Sequence, residues 1–336
     1  MFLGAKVFQA LLDNFDQTDW RIFTSRIDQL HHQIQRGFNR ELDRSEIEDR
    51  LAVVMDLGSF KFITSDSPSG YALTKHAAPI FWRAASCYPS IWTLSGSISL
   101  PDAISLPSPE LSRFVWTDNL AALVFGTEPF FRYDANSRST QRRNGQLEWV
   151  YGCPEEFMVL LGQITALRSW SGVPSPDRWS ILASEIRSWT PSVDQSTGSC
   201  AAIARLAVHE CWRHALLIYL YLAVYRTNSA DSRVVSSVRQ IIQLLGTVKN
   251  EDYIDRHLFV PCLIAGISSR KEVDRALVRE RVAALSATKI WVLQGADFTS
   301  VLDHLWHGSA RDGRPVGWED YVRSRRRVLP VDEGPL

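Results

Sequence analysis

The chain has 336 residues, 45% of them apolar and 22% charged, a balance that supports a sizeable buried core and excludes a disordered chain. Its 37 lysines and arginines match its 37 aspartates and glutamates, so no bulk field draws it to a phosphate backbone. The five cysteines, Cys87, Cys153, Cys200, Cys211 and Cys262, are odd in number and scattered; they read as small buried hydrophobes of a reducing compartment, not as a disulfide framework.

In chain order, the N-terminal MFLGAKVFQALLDNF places Lys6, Gln9 and Asp13 inside what would have to be an apolar signal core, so no secretion signal is read. Helical periodicity begins there with Phe8, Leu11, Leu12 and Phe15. It continues through Trp20, Phe23, Ile27, Leu30 and Ile34, then through Ile47, Leu51, Val54 and Met55. Ser45 with Glu48 forms a capping-box pattern before the third stripe, and Ser269 with Glu272 does so before Val273, Ala276, Leu277 and Ala284. Pro154 and Pro176 mark two more starts, ahead of stripes at Phe157, Leu160, Leu161, Ile164 and Leu167 and at Trp179, Leu182, Ile186 and Trp189.

The most apolar run, Ala215 to Tyr225, is bracketed by Arg213 and Arg226 and is far short of the roughly 20 residues that cross a bilayer. It reads as a central helix buried all round. Asp231 or Ser232 caps a helix with Val235, Val238, Ile241, Ile242 and Leu245, and Asp297 caps one with Phe298, Val301, Leu302, Leu305 and Trp306. Strand signals are limited to a weak alternation over Phe60 to Thr64 and a short Ile98 to Leu100, so any sheet is no larger than a small hairpin. Turn-rich stretches at 65–70, 100–109, 134–145 and 190–199 are loops. The fold class that follows is all-α, an irregular multi-helix array. It forms one continuous domain over 1–330, with an N-terminal lobe of about 1–130 and a C-terminal lobe of about 147–330, then a disordered tail at 331–336.

Few residue groups carry chemistry. His209 and His214 sit in HECWRH, which resembles a zinc-protease helix, but five residues at about 100° each put the two rings about 140° apart, on different faces. Glu210 is instead spaced for an i, i+4 contact with His214. Asp303, His304 and His307 share a helix edge without a third strong ligand nearby, and His31 and His32 point apart. Glu155 and Glu156 complement the dipole of a helix start. Nucleophile-elbow, phosphate-loop, dinucleotide and paired-cysteine motifs are all unmatched, so no catalytic residue, cofactor or metal site is assigned. The one basic cluster, Arg323, Arg325, Arg326 and Arg327, has three readings: a nuclear-import patch, a weak phosphate contact or a solvated last helical turn.

Five blocks in order carry a family resemblance: SPSGYALTKHAAPIFW (67–82), FVWTD with LVFGTEPFFRYD (114–134), LEWVYGCPEEFMVLLGQITAL (147–167), HECWRHALLIYLYLAVYR (209–226) and HLFVPCLIAGISSRKEVDRALVRERV (257–282). Together they resemble the large helical domain of fungal zinc-cluster transcription factors, the fungal-specific transcription factor domain. Family members carry upstream six cysteines that hold two zinc ions; no such cluster is matched here, so sequence-specific DNA binding is not carried over. The resemblance implies a non-catalytic nuclear domain that controls transcription. The partners it implies are proteins of the transcription machinery, a second copy of the chain, or a small-molecule effector. A stand-alone helical adaptor, or a helical enzyme with dispersed catalytic groups, are the competing expectations.

Overall fold

Fourteen α-helices account for most of the described residues of the computed structural model, which are 20–36, 42–137, 146–169, 176–191, 199–247, 256–285 and 295–334. The expected stripe from Phe8 to Phe15, and most of the loops at 134–145 and 190–199, lie outside them. The first three helices are α1 (Trp20–Arg36), α2 (Arg44–Thr64) and α3 (Ser67–Ser86). Ile27 of α1 packs with Leu57 and Leu73 in a small satellite core, the only part of the apolar interior that stands apart from the main cluster among the described residues.

The cap of α2 falls two residues before the expected one. Asp43 accepts from Glu46 N at 2.8 Å and Glu46 accepts from Asp43 N at 3.2 Å, a reciprocal box. Glu48, the expected partner of Ser45, is drawn elsewhere, by Arg44 at 2.8 Å and the Tyr88 hydroxyl at 2.7 Å. The weak alternation over Phe60 to Thr64 lies inside α2. There Phe62 and Thr64 are buried along with Lys61, so neighbours on several sides override a two-residue period. Only Ser65 and Asp66 separate α2 from α3, and the two helices cross at Gly70, where a Cβ would stand 2.2 Å from the Phe62 ring.

A three-residue 3-10 turn at Pro89–Ile91 leads on to α4 (Leu100–Ile104) and the almost wholly buried α5 (Pro109–Phe125). α5 stops at Gly126, whose φ of +66° suits a residue without a Cβ. Flanking strands β1 (Ile98–Ser99) and β2 (Tyr133–Asp134) pair in parallel, Ile98 with Tyr133 and Ser99 with Asp134. The sheet thus stays within the small size expected, and its two-residue strands run parallel because α4 and α5 intervene. What brings β2 home is Asp118, fully buried on α5. It accepts from Phe130 N at 2.7 Å, Tyr133 Oη at 2.8 Å and Phe131 N at 3.4 Å. Burial outweighs these three donors and pushes its carboxyl up to about 7.

The remaining helices are α6 (Gln146–Tyr151), α7 (Glu155–Ser169), α8 (Pro176–Ser188), α9 (Ser199–Tyr219), α10 (Ser232–Thr247), α11 (Phe259–Ser268), α12 (Glu272–Leu285), α13 (Gly295–His307) and α14 (Trp318–Val328). The apolar run 215–225 is buried as far as Val224, and its end, Leu220–Val224, opens into a π turn with Tyr225 N bonded to Leu220 O. Asp231 caps α10 as expected, its backbone oxygen receiving Val235 N. Two expected caps do other work: Ser269 donates back to Ala265 O at 2.8 Å and closes α11, and Asp297 receives Ser67 N at 2.8 Å, capping α3 across the molecule. The chain end closes onto α5. The Tyr321 hydroxyl donates to Val124 O and Arg325 Nε to Phe125 O at 2.6 Å, satisfying carbonyls that the end of α5 leaves open. Residues 331–334, read from the sequence as tail, are held by Lys75 on Asp332 at 2.8 Å and by Arg325 and Arg326 on Glu333.

Candidate functional site

Helical spacing places Glu210, Arg213, His214 and Leu217 on one face of α9, and the π turn continues that face with Tyr221. On α10 the same arithmetic aligns Ser232, Arg233, Ser236 and Ser237. Arg187, at the end of α8, closes the third side of a cavity of about 430 Å³. Three guanidinium groups thus line a space with one carboxylate.

The arginines are held before any ligand arrives. Arg213 donates to Arg187 O at 2.9 Å and Trp189 O at 2.6 Å, carbonyls at the C-terminal end of α8 where a cation meets the negative end of the helix dipole. It also pairs with Glu210 at 3.0 Å, which replaces the expected Glu210–His214 contact. Arg187 donates to the Tyr221 hydroxyl. Arg233 grips Asp231 through Nε at 3.0 Å and Nη2 at 2.7 Å, and lies 4.6 Å from the ring centres of both Tyr221 and Tyr225. Its hydrogen bonds hold the Asp231 carboxyl well below the usual carboxylate range. Burial, then the charge of Arg213, lowers His214 to about 4, so its imidazole is neutral near pH 7.

Two polar atoms here, Arg213 Nε and His214 Nδ1, are buried without a hydrogen-bond partner. On another face of α10 a second cavity, about 400 Å³, has Val235, Val238 and Ile242 on its wall and Arg239, Arg270 and Lys271 among its polar residues.

Residues 21–331 match the sequence model of the Fungal specific transcription factor domain. The chain belongs to that family. No curated protein and no solved structure matches it. In this fungal transcription factor domain the five sequence blocks fall on α3, α5 with the loop to β2, α6 with α7, α9 with its π turn, and α11 with α12.

The other singled-out residues of the domain do not converge. His209 stands 3.7 Å from Glu148 and edge-on to Trp189, on a different face from His214. His304 meets the Ser324 hydroxyl at 3.2 Å, His307 the Asp303 carbonyl at 2.8 Å, and Asp303 pairs with Arg279 at 2.7 Å. His31 stacks on His76 at 5.1 Å. Glu155 and Glu156 open α7. Among the described residues no group of three or more His, Cys, Asp or Glu could hold a metal ion.

The basic cluster of α14 divides. Arg323 pairs with Asp320 at 3.1 Å, Arg326 with Glu333 at 2.7 Å, and Arg327 is exposed, but Arg325 is 0% exposed. Trp318, Tyr321, Val322 and Arg325 follow the i, i+3, i+4, i+7 spacing of a buried stripe, so the inward turn of Arg325 was legible. The arginine-lined cavity was not, because Arg187, Arg213 and Arg233 come from three helices and share no motif.

Proposed function

We propose that this domain regulates transcription by binding, without catalysis, and that its binding site is the cavity between α8, α9 and α10. The observation that carries the reading is the family match over residues 21–331. The cavity adds support, because fixed polar groups from three helices converge in it beside Leu217 and Tyr221. Its walls come from three helices and the π turn, so an occupant would couple their positions. Residence in the nucleus belongs to the same reading. On α14 the arginines left at the surface are Arg323, Arg326 and Arg327.

The test is to tether the full chain to an unrelated DNA-binding module upstream of a reporter in a fungal nucleus. The expected result is a several-fold change in reporter output relative to the module alone, reduced by substitution of Arg187. Output equal to that of the bare module would count against the reading.

A further inference from the structure

We infer that the cavity between α8, α9 and α10 binds a small organic oxyanion, a molecule with an apolar body and a carboxylate or phosphate head. The inference rests on the regulatory reading above for its purpose but not for its chemistry.

Charge is the first argument. Arg187, Arg213 and Arg233 line the space and Glu210 is the one acidic residue among the lining residues. Asp231, outside the lining, is engaged by both Nε and Nη2 of Arg233. The lining surplus is two positive charges, against one in the second cavity, where Asp274 and Asp312 face Arg239, Arg270 and Lys271.

Unspent hydrogen-bonding capacity is the second. A guanidinium has five N–H donors. Arg213 directs Nη1 and Nη2 to backbone carbonyls and Glu210 yet leaves Nε buried and unpartnered. His214 Nδ1 is in the same condition. Ser237 is 4% exposed and lines the cavity from α10 beside Ser232 and Ser236. Arg213 Nε is thus a buried donor without an acceptor, which costs free energy, beside residues that line the cavity.

Rigidity is the third. Arg213 is pinned to the end of α8 and Arg233 is clamped by Asp231 and two tyrosine rings. Their planes are fixed in advance, so a ligand would spend little conformational entropy in ordering them. With the Arg233 fork engaged by Asp231, a ligand oxygen would meet the N–H groups that remain on Arg187, Arg213 and Arg233. The first turn of α10, at Ser232 and Arg233, adds the positive end of a helix dipole.

Size limits the occupant. At about 30 Å³ per water, 430 Å³ holds about 14 water-sized groups. That accommodates a head group with a ring or short chain lying on Leu217 and Tyr221.

The experiment is calorimetric titration of the full chain at low, constant ionic strength with benzoate, phenyl phosphate and the uncharged benzamide. Saturable binding of at least one anion, with benzamide about tenfold weaker or undetectable, is expected, and the ratio of the two anions identifies the head group. Arg187→Gln should weaken binding by about tenfold, the scale of one charge-assisted hydrogen bond. Ser237→Ala should weaken it by about threefold, and Arg279→Gln, on α12 outside the cavity, should leave it unchanged. Circular dichroism and the thermal midpoint of each variant establish that it is folded. No saturable binding of either anion, or binding that Arg187→Gln and Ser237→Ala both leave intact, would overturn the inference, as would equal affinity for benzamide. A silent reporter together with intact anion binding would count against the regulatory reading and not against the site.

Discussion

Two charged sites of the domain are satisfied differently. At Asp118 one carboxylate meets three donors, Phe130 N, Phe131 N and Tyr133 Oη. All three donors hold the loop to β2 against α5. In the cavity between α8, α9 and α10 the balance runs the other way, with three guanidinium groups, one lining carboxylate and two buried nitrogen atoms left over. A buried polar group whose partners are all internal is a clasp; one with donors to spare is prepared for something that the chain itself does not supply.

The sharpest way to break the clasp is Asp118→Leu. It removes the acceptor and strands Phe130 N and Tyr133 Oη inside the protein, at a cost of about 3 kcal/mol in urea unfolding. Arg213→Gln tests the other region. It loses charge-assisted bonds to Arg187 O and Trp189 O and frees Glu210, costing about 2 kcal/mol. If the cavity arginines were mere surface charges, the loss would be under about 0.5 kcal/mol.

Acidity separates the two regions further. Asp118 in the folded chain titrates at about 7 against 3.8 as its ordinary value. The folded state therefore holds a proton that the unfolded state has released, and stability from this group falls as pH rises from about 4 to about 7. The slope cannot exceed about 1.4 kcal/mol per pH unit for one proton. His209 and His214, both lowered to about 4, act with the opposite sign, because the unfolded chain protonates them first and stability is lost as pH falls below about 6.5. The native curve contains both effects, so the difference between the native chain and Asp118→Asn isolates the carboxylate. The expected result is that the substituted chain closes its stability gap as pH rises from 5 to 8.

The same distinction explains what could be read from the sequence. Helix identity followed from repeats such as Val235, Val238, Ile241, Ile242 and Leu245, since burying a face needs that spacing regardless of the neighbours. Caps were less legible. Asp297 has the right chemistry for a cap, but it serves α3, 230 residues away, rather than its own helix. The clasp left one trace, the aromatic loop ending in Tyr133 and Asp134, without showing that Asp118 receives it. The cavity left none. Its residues are unremarkable singly, and only the packing of α8, α9 and α10 turns them into a site.

The smallest stability effect should come from Ser236→Asp, and it separates binding from folding. Ser236 is exposed on α10 and lines the arginine cavity, so a carboxylate there can reach water and finds positive neighbours. Its cost to stability should be within about 0.5 kcal/mol of zero. Yet it places a tethered anion where a free one would sit, competing for the same guanidinium groups, and anion affinity should fall by about tenfold or more. The matching change at the clasp has no such outcome, because nothing about Asp118 is free to receive a ligand. Stability and affinity therefore move independently at the cavity and cannot do so at the clasp, and unfolding and titration of Ser236→Asp under one buffer condition would show whether that independence holds.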